Sequence, residues 1–405
     1  MPPFSPGRVA QITWIPAGDM RRAAQMFAKA RNIVRPGRRT LLLYLKSIDS
    51  RYNCRMQRLS PETQTLYAEL AERLRAFEAA RSFASLAGAF AKKRVHGADY
   101  WYFKTSAGPA GQRDYFVGPD DDATRAVMKA HAAGRAEAAQ TAEQIERLCA
   151  MLRAGGAQMT DAPSARVIAG LGSAGVFRLG GVLVGTHAYV AIGNLLGVRW
   201  TSGMRTQDID LAAATVLEVA VPQQASDLPQ ALASLNMGFL PVTGLDLREP
   251  ETSFKVRGQA LRVDLLTPAR GRRTGKPVAI ARFKAAAHPL AFLDYLLERP
   301  VPAPVINGGA TLVNLPDPAR FALHKLVVAD RRPVSTQAKA AKDRQQAAEL
   351  IEVLHADRRG DLRIAVDSLN RQPRAWRVRA RRALAKLPAE LKAAREMLIG
   401  RMDTA

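Results

Sequence analysis

Apolar positions along the chain fall into three textures. Behind Ser60-Pro61-Glu62, a capping hydroxyl with proline in the first helical position, Leu66, Leu70, Leu74 and Phe77 recur three and four residues apart. That spacing predicts an amphipathic helix. Tyr100–Phe103 and Tyr115–Val117 are aromatic, β-prone runs around Ser106-Ala107-Gly108-Pro109-Ala110-Gly111, which predicts a hairpin. Asp120-Asp121-Asp122 then opens an alanine-rich helix to about Ala154, with acids where the helix dipole favours them. Ile145, Leu148, Cys149 and Leu152 form its apolar stripe, which makes Cys149 a core residue.

From about Val167 short apolar runs alternate with turns: Val182–Val184, Ile209–Ala213, Val216–Val221, Phe239–Val242, Phe254–Val256 and Leu261–Leu266. Asn307-Gly308-Gly309, between Ala303–Ile306 and Thr311–Leu315, predicts a second hairpin. After Pro316 and Pro318 the pattern is helical to the end. The whole reads as α+β, in four stretches. Residues 1–38 are a basic, flexible arm, and 39–165 a mostly helical region with the aromatic hairpin. A mixed core occupies 166–300, and 301–405 holds a hairpin and basic helices.

Composition sharpens this picture. The 405 residues are 47% apolar, enough for a sizeable core. Sixty Lys and Arg against 36 Asp and Glu leave +24, a bias toward polyanions such as RNA. Thirteen of those cations fall between Arg358 and Arg401. Cys54 and Cys149 make no Cys-x-x-Cys, so neither a thiolate zinc site nor a disulfide framework is expected, which suits a cytoplasmic protein. No stretch is long and apolar enough for a membrane span.

Gly170-Leu171-Gly172-Ser173-Ala174-Gly175 matches the dinucleotide fingerprint G-x-G-x-x-G. A strand rather than a helix follows it, however, and Arg199 and Trp200 stand where an acid is needed. A glycine-rich helix end leading into Val182–Val184 is the better account. The chemistry lies just beyond. Gly185 lets the chain turn sharply after that strand, and Thr186 is placed to cap the next helix, roughly 187–196. Such a helix start suits a triphosphate. Asp208 and Asp210, two apart on a strand, share one face, and Ile209 points into the core. They are hard oxygen ligands of the kind that hold Mg²⁺ or Mn²⁺. Asp264, within Leu261–Leu266, is a third carboxylate in an apolar run, costly unless a metal or partner compensates it. The bland alternative makes Asp208 and Asp210 turn acids and gives Asp264 a salt bridge to a nearby arginine.

At these residues the chain resembles the DNA polymerase β-like nucleotidyltransferase superfamily, and more narrowly a bacterial branch of it. Gly185-Thr186, Asp208, Asp210 and Asp264 match its pattern in order and character. The resemblance implies a small mixed β-sheet with flanking helices. It also implies transfer of a nucleoside monophosphate from an NTP such as ATP to a hydroxyl of RNA, protein or a small molecule. Asp208, Asp210 and Asp264 would be the catalytic and metal-binding residues. Gly185, Thr186, Arg205, Thr206 and Lys325 would hold the nucleotide. Lys342 or Asp343 would face the cleft, as in nucleotidyltransferase-like toxins. Two departures stand out. Thr186 replaces the usual Ser or Gly, and the spacing from Thr186 to Asp208 is long, which predicts a loop over 196–205 at the mouth of the site. The rivals are a toxin with a protein antitoxin partner, and a fold that binds RNA or a partner without turnover. His187 reads as a packed helix-start histidine. Tyr100, Trp101 and Tyr102 read as packing aromatics that are also able to stack a base.

Overall fold

The computed structural model describes residues 56–403 apart from 85–87, 96–97, 106–113, 202–205, 214–225, 245, 247 and 270–274. The basic arm, the apolar segment at 41–45 and the run at 216–221 lie outside the described residues. The N-terminal part runs β1 (Met56–Arg58), α1 (Pro61–Ala84), β2 (Gly88–Val95), β3 (Ala98–Thr105), β4 (Asp114–Pro119) and α2 (Asp122–Ala154). Helix α1 starts at the proline, where the Thr63 amide donates to Ser60 Oγ at 3.3 Å. Helix α2 is capped by Asp121, which accepts from the Thr124 amide. The two helices pack on each other around Leu70, Leu74, Ile145, Leu148, Cys149 and Leu152. Between them β2-β3-β4 form an antiparallel sheet. Strand β2 has no β-pattern of its own; its pairing with the aromatic β3 makes it a strand.

Next come α3 (Ala162–Ser173), β5 (Val182–Val184), α4 (Gly185–Leu195), β6 (Val198–Trp200), β7 (Asp208–Ala212), α5 (Leu228–Ser234), β8 (Phe239–Pro241), β9 (Ser253–Val256), β10 (Arg262–Pro268), β11 (Val278–Ile280) and β12 (Ala285–Leu290). The glycine-rich stretch is indeed the end of α3 and the turn into β5, with Gly175 and Gly180 at positive φ. The expected loop over 196–205 is partly a strand: β6 pairs antiparallel with β1, so a distant segment gives it order that its own pattern does not predict.

Strands β5 and β7 to β12 make a mixed seven-stranded sheet of order β11-β12-β10-β7-β5, with β8 and β9 off that path. Strand β7 lies antiparallel to β5 and parallel to β10. The other edge of β10 carries β9 along its first half and β12 along its second. The chain ends with α6 (Leu293–Leu297), the hairpin β13 (Val301–Asn307) and β14 (Gly309–Leu315), then α7 (Pro318–Arg331), α8 (Gln337–Asp357), α9 (Arg359–Asn370), α10 (Arg374–Leu384) and α11 (Lys392–Asp403). One apolar cluster runs from the sheet through these helices, from Leu183, Ile209 and Val263 to Leu350, Leu369 and Leu398. The C-terminal helices therefore bury their apolar faces in the core that the sheet begins. None of the helices among the described residues is long and apolar enough to cross a membrane.

Candidate active site

The turn from β5 into α4 is built tightly over the acids. Gly185 has φ +69°, and a Cβ placed there would lie 2.0 Å from Asp210 Oδ2. Only glycine meets both demands. Helix α4 starts at Gly185 itself, with Val184 as its N-cap and no side-chain cap. Thr186 is therefore not the cap that its position suggests: its Oγ1 accepts a hydrogen bond from Lys342 Nζ of α8, at 3.1 Å. A helix start without a side-chain cap keeps its first amides for an anion.

Register brings the three carboxylates to one place. Asp210 stands opposite Asp264 and Asp208 opposite Arg262 on the parallel pair β7 and β10. Ile209 and Val263, on the other face, are fully buried. Val184, just before the turn, stands opposite Asp210 on the other side. Burial, with the charges of Asp264 and Asp208 beside it, pushes the Asp210 carboxyl up to about 6. Asp264 itself is held by hydrogen bonds. Its Oδ1 accepts from Ser253 Oγ of β9 and, at 2.6 Å, from Arg262 Nε. Arg262 Nη2 donates to Ser253 Oγ at 2.9 Å and closes a triangle. Among the described residues no group of three Asp, Glu, His or Cys is arranged to hold a metal ion. The salt bridge of the bland reading exists, and it exists inside the acid cluster.

The other wall is basic. Asp343 is buried between Lys325 Nζ at 2.9 Å and Arg332 Nε at 2.6 Å. Burial and the charge of Lys325 pull the Lys342 ammonium down, an effect that Asp343, Asp208 and Asp210 oppose. A pocket of about 380 Å³ opens beside Gly185 and Asp210, with Leu266, Leu293 and Phe321 as apolar wall and Lys325 at its rim. Its size is that of a small-ligand site.

The remaining candidates divide. Thr206 Oγ1 accepts the amide of Asp208 at 3.2 Å, which ties it to the start of the acid strand. Arg205 lies outside the described residues. His187 is buried, as expected of a packed helix-start residue, and its Nε2 has no hydrogen-bond partner among the described residues. In the aromatic sheet Trp101 Nε1 donates to Asp120 at 3.0 Å and Lys93 Nζ stands 4.8 Å from the centre of the Tyr102 ring. Ser253 and Arg262 are the site residues that sequence reasoning missed. Arg262 sits two residues before Asp264, on the same strand face, and period-2 reading had the signal for it. Nothing local marks Ser253, because only the pairing of β9 with β10 brings it there.

A mixed sheet thus carries an Asp-x-Asp strand, a third acid on its parallel neighbour and a glycine turn over the middle acid. Residues 162–370, just over half of the chain, match the family model described as nucleotidyltransferase, and the chain belongs to that family. No curated protein matches it. A solved structure of an antigenic nucleotidyltransferase-like protein from Paracoccidioides brasiliensis is 16% identical, over 59% of this chain and 95% of its own, with a TM-score of 0.31.

Proposed function

We propose that this nucleotidyltransferase moves a nucleoside monophosphate from an NTP to an acceptor hydroxyl with the help of Mg²⁺ or Mn²⁺, as a member of the polymerase β-like superfamily. The observation that carries this reading is the facing pair Asp210 and Asp264, closed on the other side by Gly185. The residues fit a divalent cation: burial first, and then the charges of Asp264 and Asp208, raise the Asp210 carboxyl, and such an ion would offset both. Asp208 and Asp210 would hold it, with Asp264 joining once it leaves Arg262. When bound, the metal supplies Lewis-acid stabilisation of the phosphoryl oxygens and of the attacking oxygen.

The protein's own groups account for the rest. The amides at the start of α4 and the hydroxyl of Thr186 receive the β- and γ-phosphates, beside Lys342 and Lys325. The acceptor oxygen attacks the α-phosphorus in line. A new P–O ester forms, the bond to the β-phosphate bridge breaks, and pyrophosphate leaves with that electron pair. The acceptor proton passes to Asp264 and then to solvent. Arg262 keeps Asp264 oriented before the substrates arrive.

The bond between Asp264 and Arg262 also favours a second reading, a fold that binds nucleotide without turnover. One assay separates the two. The protein is incubated with each α-labelled NTP, Mg²⁺ and a cell extract, beside Asp208→Asn and Asp264→Asn. Label should enter the RNA, protein or small-molecule fraction with wild type and fall to background with either variant. Equal labelling by wild type and variants defeats the transfer reading.

A further inference from the structure

Helix α10 is strongly basic. Between Asp367 and Glu390 the chain has seven Arg or Lys and no acid. Helix α10 packs along α7, the helix that carries Lys325 and Arg331 at the pocket. The junction is an Arg on an indole: the Arg331 guanidinium stands 5.8 Å from the centre of the Trp376 ring. Trp376 in turn stacks on Phe292, centroids 4.8 Å apart, next to pocket-lining Ala291 and Leu293. Arg379 and Lys386 share Asp330, at 3.8 Å and 3.6 Å. Arg374 and, about two turns on, the adjacent Arg381 and Arg382 are exposed, in a stripe with exposed Val378. Arg377 Nε is buried with no hydrogen-bond partner among the described residues. The basic residues thus run from Lys325 and Arg331 at the pocket to Arg379 beside Asp330, and on to the exposed guanidinium groups of α10.

We propose that α10 and Arg331 bind the phosphate backbone of single-stranded RNA and lead its terminal ribose hydroxyl into the cleft. The chemistry favours RNA over other polyanions. Nucleotidyl transfer needs a hydroxyl as nucleophile, and an RNA end carries one at the tip of a chain of phosphates. An anionic membrane offers a surface but no chain end for the pocket, and an acidic peptide carries its charge on separate carboxylates rather than on a continuous run of phosphates. Guanidinium groups suit phosphate oxygens in particular. The inference rests on the transfer reading for what happens in the cleft; the binding surface is tested independently of it.

The test uses the full chain and a fluorescent single-stranded RNA with a free terminal hydroxyl. Binding is followed by anisotropy across a salt series for wild type and for Arg374→Gln/Arg381→Gln/Arg382→Gln. Each lost phosphate contact removes about 0.7 from the slope of log affinity against log salt, so the triple variant should be shallower by roughly two. Mg²⁺·NTP binding, read by thermal shift, should be unchanged in the variant. If the triple variant does not fold, Arg374→Gln and Arg382→Gln singly should each lower the slope by about 0.7. Equal slopes and affinities in wild type and variants overturn the proposal, as does label that enters protein rather than RNA in the transfer assay. Slopes that shift while no fraction takes label leave the RNA surface standing and sink the transfer reading. Label in small molecules with unshifted slopes does the reverse.

Discussion

At Gly185 a methyl group would have to share space with the Asp210 carboxylate on a backbone at φ +69°. Gly185→Ala therefore strains the turn and displaces the middle acid. A displacement of about 1 Å at a reacting centre can cost about a hundredfold in rate. Transfer by this variant should fall by about that factor while circular dichroism stays that of wild type; full activity would show that the turn can yield. Arg262 acts in the opposite sense. It is the internal cation on Asp264, so it competes with any metal for that carboxylate. Arg262→Gln should bind Mg²⁺ severalfold more tightly by calorimetry, and equal affinity would remove the competition from the account. At this scale much was legible. The glycine and the three acids were marked by type and spacing, and Lys325 and Lys342 by the family resemblance. The hydrogen bonds of Thr186 to Lys342 and of Asp264 to Ser253 were not, because the partners lie on strands and helices that only folding brings near.

Helices α4 and α8 are joined at two levels. Lys342 reaches Thr186 at the mouth, and deeper in, the Tyr189 hydroxyl donates to Glu349, whose side chain is fully buried. Tyr189 also stacks on Trp200, whose indole Nε1 donates to the Tyr189 carbonyl at 2.8 Å. Tyr189→Phe keeps the stack and removes the hydroxyl from Glu349. Denaturant unfolding should show a loss of about 1–3 kcal/mol, and the KM for NTP should rise because α8 carries Lys342. No change in either measurement would mean that the bond does not couple the helices. A second device sits behind the pocket. Phe292, at φ +70°, stacks on Tyr295, His324 and Trp376. Burial and the charge of Lys325 push the His324 imidazole from 6.5 down to about 3. Below about 6.5 the unfolded chain binds a proton that the folded one refuses. Stability should therefore fall as the pH drops from 6.5 toward 3, by up to about 1.4 kcal/mol per pH unit. His324→Phe keeps an aromatic ring there and should flatten that slope; an unchanged slope would assign acid sensitivity to other groups. Elements with a strong internal period, such as α1 and α2, could be read directly. Strands β2 and β6 could not, since each owes its extended form to a partner strand.

On the scale of the whole molecule, the site is assembled from β5, β7, β10, α7 and α8, whose residues run from Val184 to Asp343. A ligand that bridges them stabilises the folded chain through all of these elements at once. Mg²⁺·NTP at a hundred times its dissociation constant should add about 2.7 kcal/mol, seen as a rise in Tm of several degrees. Asp208→Asn should lose most of the rise; an equal rise in that variant would place the nucleotide elsewhere. By itself the sequence determined the helical stripes, the mixed strand texture, the order of glycine turn and acids, and the excess of positive charge. These follow from residue type and local period, which act over a few residues and survive in a one-dimensional reading. Only the tertiary structure decided that Asp264 faces Asp210, that Arg262 holds Asp264, and that α10 packs on the pocket helix α7. Those facts depend on strand register and helix packing between residues far apart in the chain, and the burial of a common core sets them.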